Sequence, residues 1–348
     1  MQPTLIMMMG LPGSGKTTKA HGLSRICVCP IISSDEIRKE ITGSEDNQEC
    51  NEEVFKVLHQ RVKDELLYNK SQAVIYDACN ISYKKRMAFL NELNKINCRK
   101  VCYFVHTPFE MCLENNKKRA ENGGRFVPEY AIERMYKNIY IPQYYEGWDE
   151  IIIDTQSKVH EQYELTNLFY GENGLFSIKH DNPHHTLSIG NHCLACYLNT
   201  LEFGNKADLN LHMAALLHDI GKKFTKEYKD SNGNPTDVAH YYQHHLVSAY
   251  DAIKYLNNFS TNDMLEILAL IQWHMFPYFW EKDNNSDYFG ADNEGHIMAK
   301  ITNDTNEGKT IEIESGKGFM QGIFVEYGIT EDDDADGIRT GGFGSTTK

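Results

Sequence analysis

The residue pattern best suited to chemistry stands near the start of the chain, where residues 10–17 read GLPGSGKT. This segment matches the GxxxxGK[ST] pattern of phosphate-binding loops, and it follows an apolar run, residues 5–9, that predicts a buried strand. Glycines let backbone N–H groups turn toward phosphate oxygens, and the start of the following helix favours anions. We expect Lys16 to reach the β and γ phosphates of a nucleotide and the Thr17 hydroxyl to bind Mg²⁺. The predicted nucleotide-binding residues are Gly10, Gly13, Ser14, Gly15, Lys16, Thr17 and Thr18.

The elements that must position this loop are predicted from apolar runs that alternate with segments of helical periodicity. The runs are residues 5–9, 27–32, 73–76, 101–105 and 150–153. Alternation of this kind predicts βαβ units, and therefore a parallel sheet with helices on both faces. The site of such a sheet lies beyond the carboxyl ends of its strands.

Three charged residues follow these strand ends. Asp35 is the predicted general base for an acceptor hydroxyl, and Arg38, one helical turn later, is placed to hold a substrate phosphate. Asp77 follows the third strand, at a position suited to holding Mg²⁺ through water. Two alternatives stay open: Ser34 or Asp35 simply caps a helix, and Asp77 is a turn residue.

Two arginines, Arg119 and Arg125, flank a Gly-Gly pair just before Pro128. A mobile loop that carries arginines would neutralise charge on a phosphoryl group in transfer. The alternative is a solvated run of charge, since Lys117 and Lys118 stand beside Arg119.

With these residues in view, residues 1–160 resemble the phage polynucleotide kinase family of P-loop phosphotransferases. The matching segments are GLPGSGKTT, SSDEIR, VIYDACN and NGGRFVP. The resemblance implies transfer of the ATP γ-phosphate to a 5′-hydroxyl of RNA or DNA. It also implies Lys16, Asp35, Arg38, Arg119 and Arg125 as the catalytic residues.

The middle of the chain is rich in histidine on helical patterns, with the segments HHTLSIGNHC, AALLHDIGKK, HYYQHHLVSAY and ALIQWHM. The doublet His218-Asp219 ends an apolar helix. Imidazoles and a carboxylate drawn from several helices suit a divalent transition metal, which would activate a water against a phosphoester.

This stretch resembles the HD-domain phosphohydrolase superfamily. The resemblance implies His192, His218 and Asp219 as metal ligands, with His244 and His274 on a second metal or on substrate phosphate. Lys222 fits a phosphate contact, and the weaker candidates are His184, His185, His240 and His245. The expected metal is Mn²⁺, Ni²⁺, Co²⁺, Zn²⁺ or Fe²⁺. A kinase joined to such a domain resembles bifunctional RNA end-healing enzymes.

The last 64 residues resemble the carboxyl-terminal part of trimeric deoxyuridine triphosphatases, through DNEGHI, GKGFMQ and RTGGFGST. The resemblance implies that Phe343 stacks on uracil and that Arg339, Ser345 and Thr346 contact phosphates. Earlier strands of that barrel are missing and Asn285 replaces the expected aspartate, so we expect no such activity. The join also predicts a truncated HD domain that lacks its last metal ligand and has weak or absent phosphatase activity. Asp283, Asp287 and Asp292 are the candidate substitutes, which would hold the metal less firmly from a loop.

The length, net charge and cysteine content of the chain exclude some classes of protein. The chain has 348 residues, a net charge of −14 and nine cysteines, with no paired zinc-finger spacing. The acidic balance argues against a basic coat for nucleic acid, and no apolar run reaches the ~20 residues that span a bilayer. With no signal peptide in view, we expect reduced thiols and a cytoplasmic location, in the host if the gene is a phage's.

The predicted fold is multidomain: an α/β P-loop domain with a parallel sheet over residues 1–165, an all-α HD domain over 166–284, and a short β-rich segment over 285–348. The leading hypothesis is a 5′-hydroxyl polynucleotide kinase with an HD phosphohydrolase that removes a 2′,3′-cyclic or 3′-phosphate. The alternatives are a small-molecule or nucleoside kinase with an HD nucleotidase, and a non-catalytic nucleotide-binding assembly protein. Expected partners are nucleic-acid ends, RNA before DNA, and further copies of the chain, with no membrane.

Overall fold

The computed structural model describes residues 2–68, 71–155, 165–182 and 186–276. The chain divides into two compact units, Met1–Gln272 and Trp273–Lys348. Only residues 273–276 of the second unit are described, so the predictions for residues 277–348 lie outside the described residues, as do those for His184 and His185.

The first part of unit 1 is an α/β domain around a five-stranded parallel sheet, which confirms the predicted class. Its strands lie in the order β2-β3-β1-β4-β5, so β1 is central and the loop after it opens at the middle of the sheet. The strands are β1 Thr4–Met9, β2 Ile31–Ser33, β3 Ala73–Asp77, β4 Arg99–Val105 and β5 Glu150–Asp154. The helices are α1 Lys16–Cys27, α2 Ser34–Thr42, α3 Asn51–Tyr68, α4 Tyr83–Glu92, α5 Phe109–Glu121 and α6 Glu129–Tyr136.

The predicted strand at residues 27–32 is wrong at its start. Helix α1 continues to Cys27, and Val28, whose φ of 49° is left-handed, caps its end. The Ser24 hydroxyl donates to the Cys29 carbonyl oxygen, and the Cys29 N–H donates back to the Ser24 carbonyl oxygen. These local bonds close the helix end and use backbone groups that a strand would need, because each residue has one donor and one acceptor.

The second part of unit 1 is helical, as predicted. Its helices are α7 Leu165–Tyr170, α8 Ile189–Phe203, α9 Leu209–Leu217, α10 Lys222–Thr225, α11 His244–Ala252 and α12 Thr261–Trp273. A two-stranded antiparallel hairpin, β6 Lys226–Lys229 and β7 Pro235–Tyr241, interrupts the helices between α10 and α11. Apolar periodicity did not predict this hairpin, whose turn residues 230–234 read DSNGN.

An aromatic core joins the two parts of unit 1. The Phe224 ring packs edge-on against Phe109 and Tyr136, at centroid separations of 5.2 and 4.9 Å. Tyr250 of α11 donates a 2.6 Å hydrogen bond to the Thr107 carbonyl oxygen. The helical and α/β parts therefore share one buried contact region. No helix in the described ranges is long and apolar enough to cross a membrane.

Candidate active sites

The loop after β1 has the backbone that phosphate binding requires. Gly10 and Gly13 take φ values of 148° and 82°. A Cβ on Gly13 would lie 2.2 Å from the Cys112 carbonyl oxygen, and one on Gly10 would lie 2.7 Å from the Val105 carbonyl oxygen. Only glycine fits either position, because a side chain would collide with backbone that cannot move aside. The loop is thus held closely against β4 and α5.

Lys16 opens helix α1 directly after the loop, and its Nζ donates to the Leu11 carbonyl oxygen at 3.2 Å. Ser14 is buried, and its carbonyl oxygen accepts from the Thr107 hydroxyl at 3.0 Å. Thr18 is exposed on the first turn of α1. The predicted nucleotide-binding residues therefore lie together at the amino-terminal end of α1, where the helix dipole favours anions.

Thr17 and Asp77 meet although 60 residues separate them, with the Thr17 hydroxyl donating to Asp77 Oδ2 at 3.0 Å. Burial raises the pKa of Asp77, while the Lys16 charge and the Thr17 hydrogen bond act to lower it. A hydroxyl and a carboxylate are oxygen donors that suit Mg²⁺. The pair fits the predicted Mg²⁺ role. Asp77 is the last residue of β3 and not a turn residue, and its side chain contacts the start of α1.

Asp35 lies close to this pair because β2 and β3 are neighbours, and Ser33 stands opposite Asp77 in their register. The helix cap is Ser33, whose hydroxyl accepts from the Asp35 N–H at 3.3 Å. The Asp35 side chain is therefore not used for capping. Its Oδ1 accepts from Arg38 at 2.6 Å and from Arg125 at 2.7 Å.

The two arginines differ in how they are held. Arg38 is buried and its second Nη donates to Asn51 Oδ1 at 2.9 Å. Arg125 comes from the segment between α5 and α6 and also pairs with the exposed Asp46, at 3.3 Å. The structure thus brings Arg38 and Arg125 to one carboxylate oxygen. Asn51, which no sequence motif marked, holds Arg38 in place.

Arg119 faces a different partner. It lies within α5, and its Nη2 donates to Asn116 Oδ1 at 2.9 Å. Asn116 is fully buried and exchanges hydrogen bonds with the Val127 backbone, which anchors the far end of the Gly-Gly segment. Burial, followed by the charge of Arg125, lowers the pKa of Arg119, so its guanidinium belongs to the same positive region as Arg125.

A second cluster surrounds Asp219, which is fully buried in the short segment between α9 and α10. Its carboxylate oxygens lie 3.3 Å from the Nε2 atoms of His192 and His218, 3.2 Å from His244 Nε2, and 2.7 Å from Lys222 Nζ. Burial would raise the pKa of Asp219, but the charges of His218 and Lys222 hold it well below its usual range.

The orientation of the imidazoles shows what this cluster fits. His218 Nδ1 lies 2.8 Å from the Ala215 carbonyl oxygen, and His244 Nδ1 lies 2.8 Å from that of Tyr241. A carbonyl only accepts, so Nδ1 of each ring carries a proton and Nε2 is the ring nitrogen that is directed toward Asp219. With Nδ1 anchored to the backbone, Nε2 is the nitrogen left to bind a metal, and backbone-anchored imidazoles are typical of metal ligands. The donor set therefore fits a divalent metal.

Two members of the cluster were missed from the sequence. Cys196, one turn after His192 on α8, places its Sγ 3.8 Å from His192 Nε2. His180 Nε2 lies 3.4 Å from Lys222 Nζ, and its ring is 5.7 Å from that of His192. The i, i+4 spacing of His192 and Cys196 was a usable signal, whereas nothing local to His180 marks it.

Of the weaker histidine candidates, the structure describes His240 and His245. His240, on β7, stacks its ring on Tyr242 at 5.5 Å. His245 turns its ring edge to His244, and burial lowers its pKa to about 3. His274 belongs to the second unit, so its role as a ligand stays a prediction.

Comparison with known families agrees with this division. Residues 5–142 match the family model described as an AAA domain, and residues 189–313 match that of the HD domain. The chain thus combines a P-loop, kinase-like domain with an HD domain. No curated protein matches the chain.

Solved structures resemble parts of the chain. A putative kinase from Chloroflexus aurantiacus J-10-fl shares 19% identity at a TM-score of 0.39, over 48% of this chain and 95% of that one. A chain of the Pnkp1/Rnl/Hen1 RNA repair complex shares 25% identity at a TM-score of 0.34, over 38% of this chain and 43% of that one. A gluconokinase from Sinorhizobium meliloti 1021 shares 18% identity at a TM-score of 0.32, over 43% of this chain and 81% of that one.

Proposed function

We propose that this protein is an ATP-dependent kinase that phosphorylates the 5′-hydroxyl of polynucleotide ends, joined to an HD phosphohydrolase that acts on phosphorylated ends. The observation that carries the kinase proposal is the Asp35 carboxylate, held on Oδ1 by Arg38 and Arg125 beside the Thr17–Asp77 pair. Nucleotide binding alone does not require a carboxylate positioned by two guanidinium groups.

The proposed transfer uses Asp35 as the base. Both guanidinium contacts fall on Oδ1, and no residue in the described ranges donates to Oδ2. Oδ2 takes the proton of the acceptor hydroxyl, and the oxygen of that hydroxyl forms the new bond to the γ-phosphorus of ATP. The bond between the γ-phosphorus and the β-phosphate oxygen breaks, which releases ADP. Lys16 and Arg119 stabilise the charge on the transferred group, and Mg²⁺, held near Thr17 and Asp77, would neutralise charge on the phosphates.

The acceptor class rests on the arginines. Arg38 and Arg125 are forked cations beside the proposed base, and such cations bind phosphate in a bidentate manner. A 5′-terminal nucleotide in a polynucleotide carries its next phosphodiester a short distance from the 5′-hydroxyl, whereas a nucleoside carries none. The site therefore favours an oligonucleotide over a nucleoside.

The test is transfer of label from γ-labelled ATP in the presence of Mg²⁺. We expect label on a 5′-hydroxyl RNA oligonucleotide, less on DNA, and little on a nucleoside, and we expect Lys16→Ala to abolish transfer. The matched control is Lys19→Ala, one turn along α1, where Lys19 pairs with Asp154 at 2.8 Å; it should retain activity. Label on the nucleoside alone would favour the small-molecule kinase, and ATP binding without any product would favour the assembly protein.

For the second domain, His192, His218 and Asp219 would hold a divalent metal, with His244 beside them. When bound, the metal supplies a water of lowered pKa that attacks a phosphoester. Lys222 contacts Asp219 at 2.7 Å and so orients that carboxylate while bringing positive charge for a substrate phosphate. We expect His218→Ala to abolish hydrolysis of a 3′-phosphate or of a 2′,3′-cyclic phosphate end and to leave kinase activity unchanged.

A further inference from the structure

The thiol of Cys196 lies next to the imidazoles of the cluster around Asp219, which we call the HD cluster. Cys196 and His192 are four residues apart on α8, so their side chains share one face of the helix. Cys196 Sγ lies 3.8 Å from His192 Nε2, which in turn lies 3.2 Å from His218 Nε2. The three possible ligand atoms all lie within 4.8 Å of one another. One ion can therefore contact all three.

The second observation is the orientation of the neighbouring ring. Because His218 Nδ1 donates to the Ala215 carbonyl oxygen, Nε2 is the nitrogen directed toward His192 and available to a metal. The other cysteine of α8, Cys193, is fully buried next to Asp219, but its sulfur belongs to no such group of ligand atoms in the described residues. Of the two thiols of α8, that of Cys196 is the one grouped with imidazole nitrogens in the described residues.

We propose that Cys196 is a sulfur ligand of the metal centre, completing a set of two imidazoles and one thiolate beside the Asp219 carboxylate. This inference rests on the proposed metal centre of the HD domain. On binding, a metal–sulfur bond forms and the thiol proton passes to solvent. A thiolate is a soft ligand, so the site prefers Zn²⁺, Co²⁺ or Fe²⁺ to Mg²⁺ or Mn²⁺.

The experiment uses the full chain, stripped of metal by a chelator, reduced, and titrated anaerobically with Co²⁺. Wild type is expected to show a sulfur-to-cobalt charge-transfer band in the near ultraviolet, and Cys196→Ser is expected to bind Co²⁺ without it. The matched control, Cys27→Ser, removes an exposed thiol from α1 and should keep the band. His218→Ala should lose the band as well, which assigns it to this cluster and not to another cysteine.

Zinc affinity provides a second readout. Cys196→Ser should bind Zn²⁺ at least about tenfold more weakly, since even the loss of groups around the ligands costs about 10- to 100-fold. Cys196→His keeps a ligand at the same place and should restore much of the Zn²⁺ affinity without restoring the band. That variant separates loss of a ligand from loss of folding.

Two outcomes would overturn the inference, and they are distinguishable. If wild type binds Co²⁺ with no charge-transfer band, or if the band persists in Cys196→Ser, Cys196 is not a ligand and the metal centre stands. If wild type binds neither Co²⁺ nor Zn²⁺, the metal centre itself fails and the sulfur ligand fails with it.

Discussion

At the residue scale, the kinase site depends on how one carboxylate is shared. Asp35 is half exposed, yet its Oδ1 receives Arg38 from its own helix and Arg125 from 90 residues away. Arg38 is in turn fixed by Asn51. A charge-assisted contact of this kind sets the direction of the side chain as well as its energy. Asp35 is thus positioned before a substrate arrives.

We expect Asp35→Asn to lower kcat for phosphoryl transfer by about 10²- to 10⁴-fold, the usual contribution of a general base, because an amide cannot take the hydroxyl proton. The affinity for ATP, measured by equilibrium binding, should change little. Asp46→Asn is the matched control, since Asp46 also pairs with Arg125 but is largely exposed. A similar loss in both variants would show that Asp35 acts only by holding Arg125.

At the element scale, a buried ion pair attaches helix α4 to the turn before β5. Arg86 and Glu146 are fully buried, and two guanidinium nitrogens meet the two carboxylate oxygens at 2.6 and 2.7 Å. The Trp148 ring N–H also donates to Glu146 at 3.1 Å, and Arg86 donates to the Asn80 carbonyl oxygen at 2.9 Å. These contacts fix the segment that follows Asp77.

Removing one partner leaves a buried charge uncompensated. We expect Glu146→Ala to lower the free energy of unfolding by about 3–5 kcal/mol, measured by urea denaturation. The control is Glu150→Ala, which breaks an exposed pair with Arg99 and should cost less than about 1 kcal/mol. Equal losses in the two variants would contradict a special role for burial.

Helix α3 contributes a pH-dependent contact through His59, whose ring lies 4.2 Å from that of Phe89. Burial lowers the pKa of His59 below its ordinary 6.5, and it outweighs the attraction of the partly exposed Glu92 carboxylate. The unfolded ring therefore binds a proton at a higher pH than the folded ring does. The contribution of His59 to stability is complete above pH 6.5 and is lost as the pH falls toward the folded-state pKa.

We expect the free energy of unfolding of wild type to fall below pH 6.5 more steeply than that of His59→Phe, which keeps a ring against Phe89. Urea titrations at a series of pH values measure the difference. His21→Gln, at an exposed position of α1, should follow wild type. A parallel decline in wild type and His59→Phe would exclude His59 as a source of the slope.

At the scale of the whole of unit 1, helix α11 contributes to both sites. Its first residue, His244, contacts Asp219, and its Tyr250 donates to the Thr107 carbonyl oxygen. The Thr107 hydroxyl in turn donates to the Ser14 carbonyl oxygen in the phosphate loop. A short chain of hydrogen bonds and one helix therefore connect the loop to the HD cluster.

We expect Tyr250→Phe to lower the free energy of unfolding by about 1–3 kcal/mol, because the buried Thr107 carbonyl loses its main donor. It should also weaken ATP binding, since Thr107 supports the phosphate loop. Calorimetry and equilibrium ATP binding measure the two effects. Tyr242→Phe, with its exposed ring on His240, is the control and should change neither. Unchanged ATP affinity in Tyr250→Phe would contradict support of the loop by this contact.

Much of the fold follows from local pattern. The alternation of apolar runs predicts the parallel sheet, and the rule that sites lie beyond its strand ends predicts that Asp35 and Asp77 converge. The start of β2 and the β6–β7 hairpin were not predictable in this way. A cap at Val28 and a pairing between residues 226 and 241 depend on backbone geometry that apolar periodicity does not encode.

The kinds of reactive group in this protein can be read from the residues alone: a phosphate loop with Lys16 and Thr17, a carboxylate after β2, and a His-Asp doublet in a helical region. Motifs of this kind are local, because a strand, a turn and a helix start place their residues within a few positions of one another. Only the tertiary structure decided that Arg125 reaches Asp35, that Cys196 faces His218, and that Tyr250 supports the loop through Thr107. Those contacts join residues far apart in the chain or on separate helices, and their distances are set by packing between elements.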